Sequence, residues 1–176
     1  RDLGQDVLLL IDSVPRWWSA HREAGLAPGH LHELLARAGA RAQGTITTIV
    51  TTDLSPENDL LRFTDGQCTL SREIAHSGRY PAIDISQSVS RRFTEVAARS
   101  HQRNARWLRS ILNHYKESQL LIETGAYKEG FNARVDEAIR RQDECRRFLM
   151  QDVYERADFE DTLERLARLH DAPQQG

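Results

Sequence analysis

Two patterns of apolar positions divide the chain. Residues 7–11 read VLLLI, an unbroken apolar run that Asp12 closes. Such a run predicts a strand buried on both faces, as in a parallel sheet. Residues 45–52, TITTIVTT, are β-branched throughout and predict a second buried strand. Between them a helix is expected over 14–24, capped by Asp12 or Ser13, with Pro15 tolerated in its first turn. Gly25 and then Ala27-Pro28-Gly29 end it. Leu31, Leu34 and Leu35 share one face of a short helix over 30–38, and Gly39 and Gly44 bracket a turn. A loop over 53–59 and a short element at 60–63 lead to an Asp65-Gly66 turn and a third strand at 68–70. Ser71 starts one or two helical turns over 71–77, with Glu73 nearby. Pro81 biases residues 80–84 toward extended backbone.

After about Arg92 the pattern changes. No proline occurs between there and Pro173, and Trp107, Leu108, Ile111, Leu112 and Tyr115 are spaced for one helix face. Gly125-Ala126-Tyr127 breaks that helix. Val135, Ile139, Phe148 and Leu149 mark another, and Phe159, Leu163 and Leu166 a last one. The expected architecture is an α/β part over 1–92, an all-α part over 93–170, and a frayed tail over 171–176.

Composition narrows the function classes. A net charge of −2 gives no global basic field, which argues against a nucleic-acid binder. The 2 cysteines, Cys68 and Cys145, lie far apart, form no CxxC, and fit a reducing cytoplasm. No run approaches the ~18–20 apolar residues of a membrane span, and there is no signal peptide. The histidines form no i, i+4 pair and read as non-ligands. The chain opens on Arg1 directly before a core strand, which suggests a piece of a longer polypeptide.

A hydrophobic strand that delivers an acid to its C-terminal edge is how P-loop NTPases place a carboxylate near Mg²⁺. Taken alone, Asp12 fits that role or simple capping of the next helix. Four stretches bear on the choice: VLLLIDSVPRW (7–17), AHREAGLAPG (20–29), DGQCTLSREIAHSGRYPAID (65–84) and SVSRR (88–92). Together they resemble the rotary-type hexameric ATPases, the subunits of ATP synthase and their relatives in secretion. Ser71-Arg72-Glu73, Ala75-His76-Ser77-Gly78 and WLRSILNHYKESQLLIETGAY (107–127) make the chain most similar to the ATPase of type III protein secretion, flagellar or injectisome.

The resemblance implies a RecA-like P-loop core, mostly parallel sheet with flanking helices, followed by an all-α C-terminal domain. It implies ATP hydrolysis with Mg²⁺ in a homohexamer that energises protein export. Asp12 matches the Walker B acid, holding Mg²⁺ through water. Arg91 matches the arginine finger that enters a neighbouring subunit's site, although Arg92 stands beside it. Tyr80 matches the aromatic that packs on adenine, with Pro81 holding the backbone that aims the ring. Arg16 matches an arginine near the phosphates; an ion pair with Asp12 or Glu23 is the competing role. The implied partners are a central stalk, peripheral stator proteins, chaperone–substrate complexes meeting the helical part, and an export gate at the membrane. The implied location is cytoplasmic, peripheral to the inner membrane. No nucleic acid is implied.

The chain also departs from the family. It lacks the P-loop G-x-x-x-x-G-K-[ST] and the glutamate that polarises the attacking water; both are expected upstream of Arg1. These 176 residues alone are therefore expected to hydrolyse negligible ATP. Ala27-Pro28-Gly29 runs straight into HLHELLARAG, where the family carries a longer loop facing the pore. His21 replaces a common Gln, Pro15 a small polar residue, and Trp17-Trp18 is unusually bulky. Two other readings remain open on the sequence: a non-catalytic homologue or binding module, and an ATP synthase α/β-type subunit. A Rho-like nucleic-acid motor is disfavoured by the charge.

Overall fold

The computed structural model describes residues 3–25, 30–53 and 64–172. It comprises two compact units, Arg1–Asp65 and Gly66–Gly176. Elements run in the order β1 (Val7–Ile11), α1 (Val14–Glu23), α2 (His30–Ala36), β2 (Gly39–Arg41), β3 (Gly44–Val50), β4 (Gly66–Gln67), α3 (Arg72–His76), β5 (Val89–Ser90), α4 (Phe93–Val96), α5 (Arg99–Glu123), α6 (Ala133–Phe148) and α7 (Phe159–Asp171).

The first unit is built on a sheet of order β1-β3-β2. β1 and β3 are parallel, with Val7 opposite Ile46 and Ile11 opposite Val50. A parallel pair needs a crossover, which α1 and α2 supply. Val14, Leu31 and Leu35 are buried against each other, with Ile11, Trp17, Trp18, Leu34 and Val50 around them. Pro15 lies in the first turn of α1, where a missing N–H costs nothing. His21 stacks on Trp17 at 3.5 Å between ring centroids, so the bulky Trp17-Trp18 stretch is packing material.

Three expectations change here. β1 is not buried on both faces: Leu8 is 59% and Leu10 64% exposed. Its one ladder partner among the described residues is β3, and the helices cover only its C-terminal end. β3 is likewise only half-buried. The Gly39–Gly44 segment is more than a turn. Gly39–Arg41 pairs antiparallel with β3 around Ala42-Gln43. The short element expected at 60–63 lies outside the described residues.

The second unit joins residues 66–92 to the helices. The strand expected at 68–70 is instead β4, paired antiparallel with β5, and Leu70 only bridges Ile83. Ser71 caps α3 by accepting from the Ile74 N–H at 3.2 Å. Asp84, without a role in the sequence, organises the turn after it. Its Oδ1 accepts from the N–H groups of Ser86 and Gln87 at 2.9 and 3.2 Å. This segment is tied to α5: the Arg109 guanidinium donates to the Ser88 carbonyl at 3.0 Å, and Ser86 donates to Asn113 at 2.7 Å. Those bonds explain why the compact unit begins at Gly66, well before the composition shift at 92.

Helices α5, α6 and α7 enclose Leu108, Ile111, Ala138, Cys145 and Leu166. Two small side chains on α6, Ala138 and Cys145, are wholly buried there. Asn132 and Asp158 cap α6 and α7 through their side chains. The α5–α6 connection is fixed by buried Asp136, which accepts from the Tyr127 hydroxyl at 2.8 Å and the Gly130 N–H at 3.0 Å. No described helix is long and apolar enough to cross a membrane.

Candidate nucleotide site

The sequence-predicted residues fall on both units. Asp12 and Arg16 belong to the first; Tyr80, Pro81 and Arg91 belong to the second.

Asp12 follows the last residue of β1 and is exposed. The β1–β3 ladder continues one step past the strands. The Thr51 N–H donates to the Ile11 carbonyl at 3.0 Å, and the Val14 N–H to the Thr51 carbonyl at 2.9 Å. That holds Thr51 beside Asp12, and its hydroxyl donates to Oδ1 at 2.6 Å. The helix-capping alternative is not taken up: Ser13 is the N-cap of α1 and makes no side-chain cap bond. The Asp12–Ser13 peptide is cis. Arg16 is exposed in the first turn of α1 and makes no ion pair with Asp12 or Glu23 among the described residues.

No group of three or more His, Cys, Asp or Glu side chains among the described residues could hold a metal. A single carboxylate still fits Mg²⁺, which keeps several waters and binds through one or two carboxylates plus substrate phosphates. Thr51 occupies one oxygen of Asp12 and leaves the second without a protein partner among the described residues.

Tyr80 is 56% exposed, so packing does not hold its ring. Its backbone is held instead. The Tyr80 carbonyl accepts from the Gln151 N–H at 2.9 Å. Arg79 donates to the Ile83 carbonyl at 3.2 Å across the same loop. Desolvation lowers the Arg79 pKa from its ordinary value, against the opposing pull of Asp84. Pro81 lines a cavity of about 270 Å³ with Ile83, Phe148, Leu149 and Gln151.

Arg91 follows β5 directly and is exposed. Its neighbour has a different job. Arg92 is the N-cap residue of α4, and its guanidinium pairs with Glu95 one turn on. Three contributors escape sequence reasoning: Thr51, Gln151 and Arg109. Each acts across a long stretch of chain on a backbone or carboxylate, and nothing local marks it.

Comparison with known proteins gives this geometry a context. The family model described as "ATP synthase alpha/beta family, nucleotide-binding domain" matches residues 1–90. The one described as "T3SS EscN ATPase C-terminal domain" matches residues 97–168. The type 3 secretion system ATPase of Pseudomonas savastanoi pv. phaseolicola is 36% identical over 190 residues, covering 96% of this chain and 42% of that protein. The flagellum-specific ATP synthase of Treponema pallidum (strain Nichols) is 39% identical, with the same coverage of 96% and 42%. Among solved structures, the assembled ATPase EscN from the enteropathogenic E. coli type III secretion system matches with TM-score 0.82 and 33% identity, over 92% of this chain and 44% of that one. EscN in complex with its central stalk EscO matches with TM-score 0.85 and 34% identity, over the same shares of 92% and 44%. The chain thus spans under half the length of the curated relatives it matches. The alignments of 190 residues exceed the 176 present here, so the relatives carry residues that this chain lacks. On the two adjoining family matches, and on identities above 30% along nearly its whole length, this chain belongs to the ATP synthase alpha/beta family, in the branch of type III secretion and flagellar export ATPases.

Proposed function

We propose that these residues are the part of a hexameric protein-export ATPase that carries the metal-side carboxylate, the base-stacking aromatic, the arginine finger and the helical domain. The observation that carries this reading is the Asp12 carboxylate, presented at the C-terminal edge of the parallel β1–β3 pair with its orientation fixed by Thr51. We keep the division between the nucleotide-binding part and the helical part near residue 92, a reading supported by separate family matches over residues 1–90 and 97–168.

In the working site Asp12 is the residue that would hold Mg²⁺, and the metal would supply neutralisation of charge on the phosphates of ATP. The second carboxylate oxygen of Asp12, left open by Thr51, would be the atom facing the hydrated metal. Tyr80 offers an aromatic face to the base, worth about 1–3 kcal/mol and tolerant of base identity. Arg91, presented by β5, reaches the γ-phosphoryl of an adjacent subunit and stabilises charge at the transition state. Arg16 contributes positive charge near the phosphates. Hydrolysis would drive unfolding or release of chaperone-bound substrates. The ring would turn against a central stalk, attach to peripheral stator proteins, and sit on the cytoplasmic side of an export gate. EscN's structure with its stalk supports the stalk as partner.

The test is complementation. In the complete polypeptide, Asp12→Asn and Arg91→Ala should each abolish turnover. Mixed in equal amounts, they should recover activity at about a quarter of the interfaces, where an intact Asp12 meets an intact Arg91. No recovery on mixing would count against a finger that acts between subunits.

A further inference from the structure

The loop between α6 and α7 is bonded to the residue proposed to stack on the base. Tyr80 has a largely exposed ring, so the main chain sets where that ring stands. The bond that reaches its carbonyl comes from the Gln151 N–H, at the start of this loop. The loop is closed on itself. The Gln151 side-chain amide donates to the Glu155 carbonyl at 2.9 Å, and the Asp152 N–H donates to Glu155 Oε2 at 3.2 Å. Asp152 Oδ1 accepts from the Tyr154 N–H at 2.9 Å. The other carboxylate oxygen of Glu155 meets Arg165 of α7 at 3.5 Å. The Arg165 guanidinium also lies over the Phe148 ring of α6, 5.9 Å from its centroid. A continuous chain of contacts therefore runs from the helical bundle, through Arg165, Glu155 and Gln151, to the Tyr80 backbone.

We propose that this loop is a clamp for Tyr80, latched by Glu155 and Arg165, and that Gln151, Glu155 and Arg165 are positioning residues for nucleotide-base binding. The inference rests on the reading of Tyr80 as the base contact. Its physical content is that the helical part tunes affinity for the nucleotide without touching the phosphates. Loosening the latch lets the Tyr80 backbone wander. Stacking then weakens, while the groups that act on the γ-phosphoryl are unchanged.

The experiment uses the complete polypeptide and compares Arg165→Met, Arg165→Lys and Tyr80→Ala. Arg165→Met keeps the apolar stem over Phe148 but loses the charge. It is expected to raise KM for ATP by about two- to fivefold, with kcat within a factor of about two. Arg165→Lys should retain the parental KM. Amide hydrogen exchange over residues 150–155 should quicken in Arg165→Met alone. Added to Tyr80→Ala, Arg165→Met should change KM no further, because it acts through the ring. Faster exchange with unchanged KM, or a KM effect that persists in the double variant, overturns the clamp. If Tyr80→Ala itself leaves KM unaltered, the base-contact reading fails. The clamp's role in binding falls with it, and the exchange data still show whether Arg165 holds the loop.

Discussion

The Thr51 hydroxyl donates to the Asp12 carboxylate at 2.6 Å, at the C-terminal end of the parallel pair. At the opposite end Thr45 makes the equivalent bond to Asp6 at 2.8 Å. The same Thr–Asp pairing thus pins both ends of one ladder, with Asp12 at the edge where ligands bind in open α/β sheets. Removing the hydroxyl leaves the strand pairing intact and frees the carboxylate. Outer-shell partners of this kind are worth about 10–100-fold in metal affinity or activity. Thr51→Val in the complete polypeptide should raise the Mg²⁺ concentration needed for half-maximal turnover by that order. Thr45→Val should not move it. A Mg²⁺ titration of ATP hydrolysis decides between them, and equal curves would remove Thr51 from the site.

Arg91 and Arg92 are neighbours with separable fates. Arg91→Ala should lower kcat by about 10³–10⁵, leaving ATP binding nearly intact. Arg92→Ala breaks an exposed i, i+3 pair with Glu95, worth about 0–1 kcal/mol, and should leave turnover within a few-fold. Steady-state kinetics with parallel nucleotide-binding titrations test the pair. The reverse ranking would exchange the two roles.

Leu108 is buried in the α5–α6–α7 core beside Ala138 and Cys145. Leu108→Ala should cost about 2–5 kcal/mol, because those small neighbours cannot close the space it leaves. Leu120, 72% exposed, is the matched control, and its change to Ala should cost under ~0.5 kcal/mol. Denaturant titration followed by helical circular dichroism reads both.

Cys145 gives the helical unit a dependence on alkaline pH. Burial pushes its thiol up to about 12, against a smaller opposing pull from Arg141. An unfolded chain ionises this thiol near ~8.5. Through the window between, the unfolded state binds fewer protons, so stability falls as pH rises, by up to about 1.4 kcal/mol per unit. Between pH 8.5 and 10 the parent should lose about 1.6 kcal/mol more than Cys145→Ala. Equal losses would mean that the thiol ionises in place.

Much of this was legible in the sequence, because local rules governed it. The helix start read at Ser71 is a side-chain cap, and the Leu31, Leu34, Leu35 face is a period that packing realised; the caps at Asn132 and Asp158 obey the same local rule but went unread. β2 was missed because Gly39-Ala40-Arg41 carries no β-branched residue; its pairing comes from β3 alone. The burial of β1 was overestimated for a related reason. An apolar run states a preference for strand, but what covers it is tertiary. Asp12 was singled out by its place after β1, whereas Thr51 depends on a register between strands distant in sequence. Gln151 offers no signal at all, since its contribution to Tyr80 is a main-chain N–H that any residue except proline could supply.

Among the described residues β1 lies at the end of the strand order, with Val7, Leu8 and Leu10 exposed. Its outer side therefore offers ladder donors and acceptors flanked by apolar side chains, with no proline or lysine to discourage another strand. Wherever no further strand adds to it, that side is a template for intermolecular strand addition, and concentration would set the lifetime of the isolated polypeptide in solution. A charge at Leu8 or Leu10 would blunt that template without reaching the Asp12–Thr51 pair, which lies past the end of the strand.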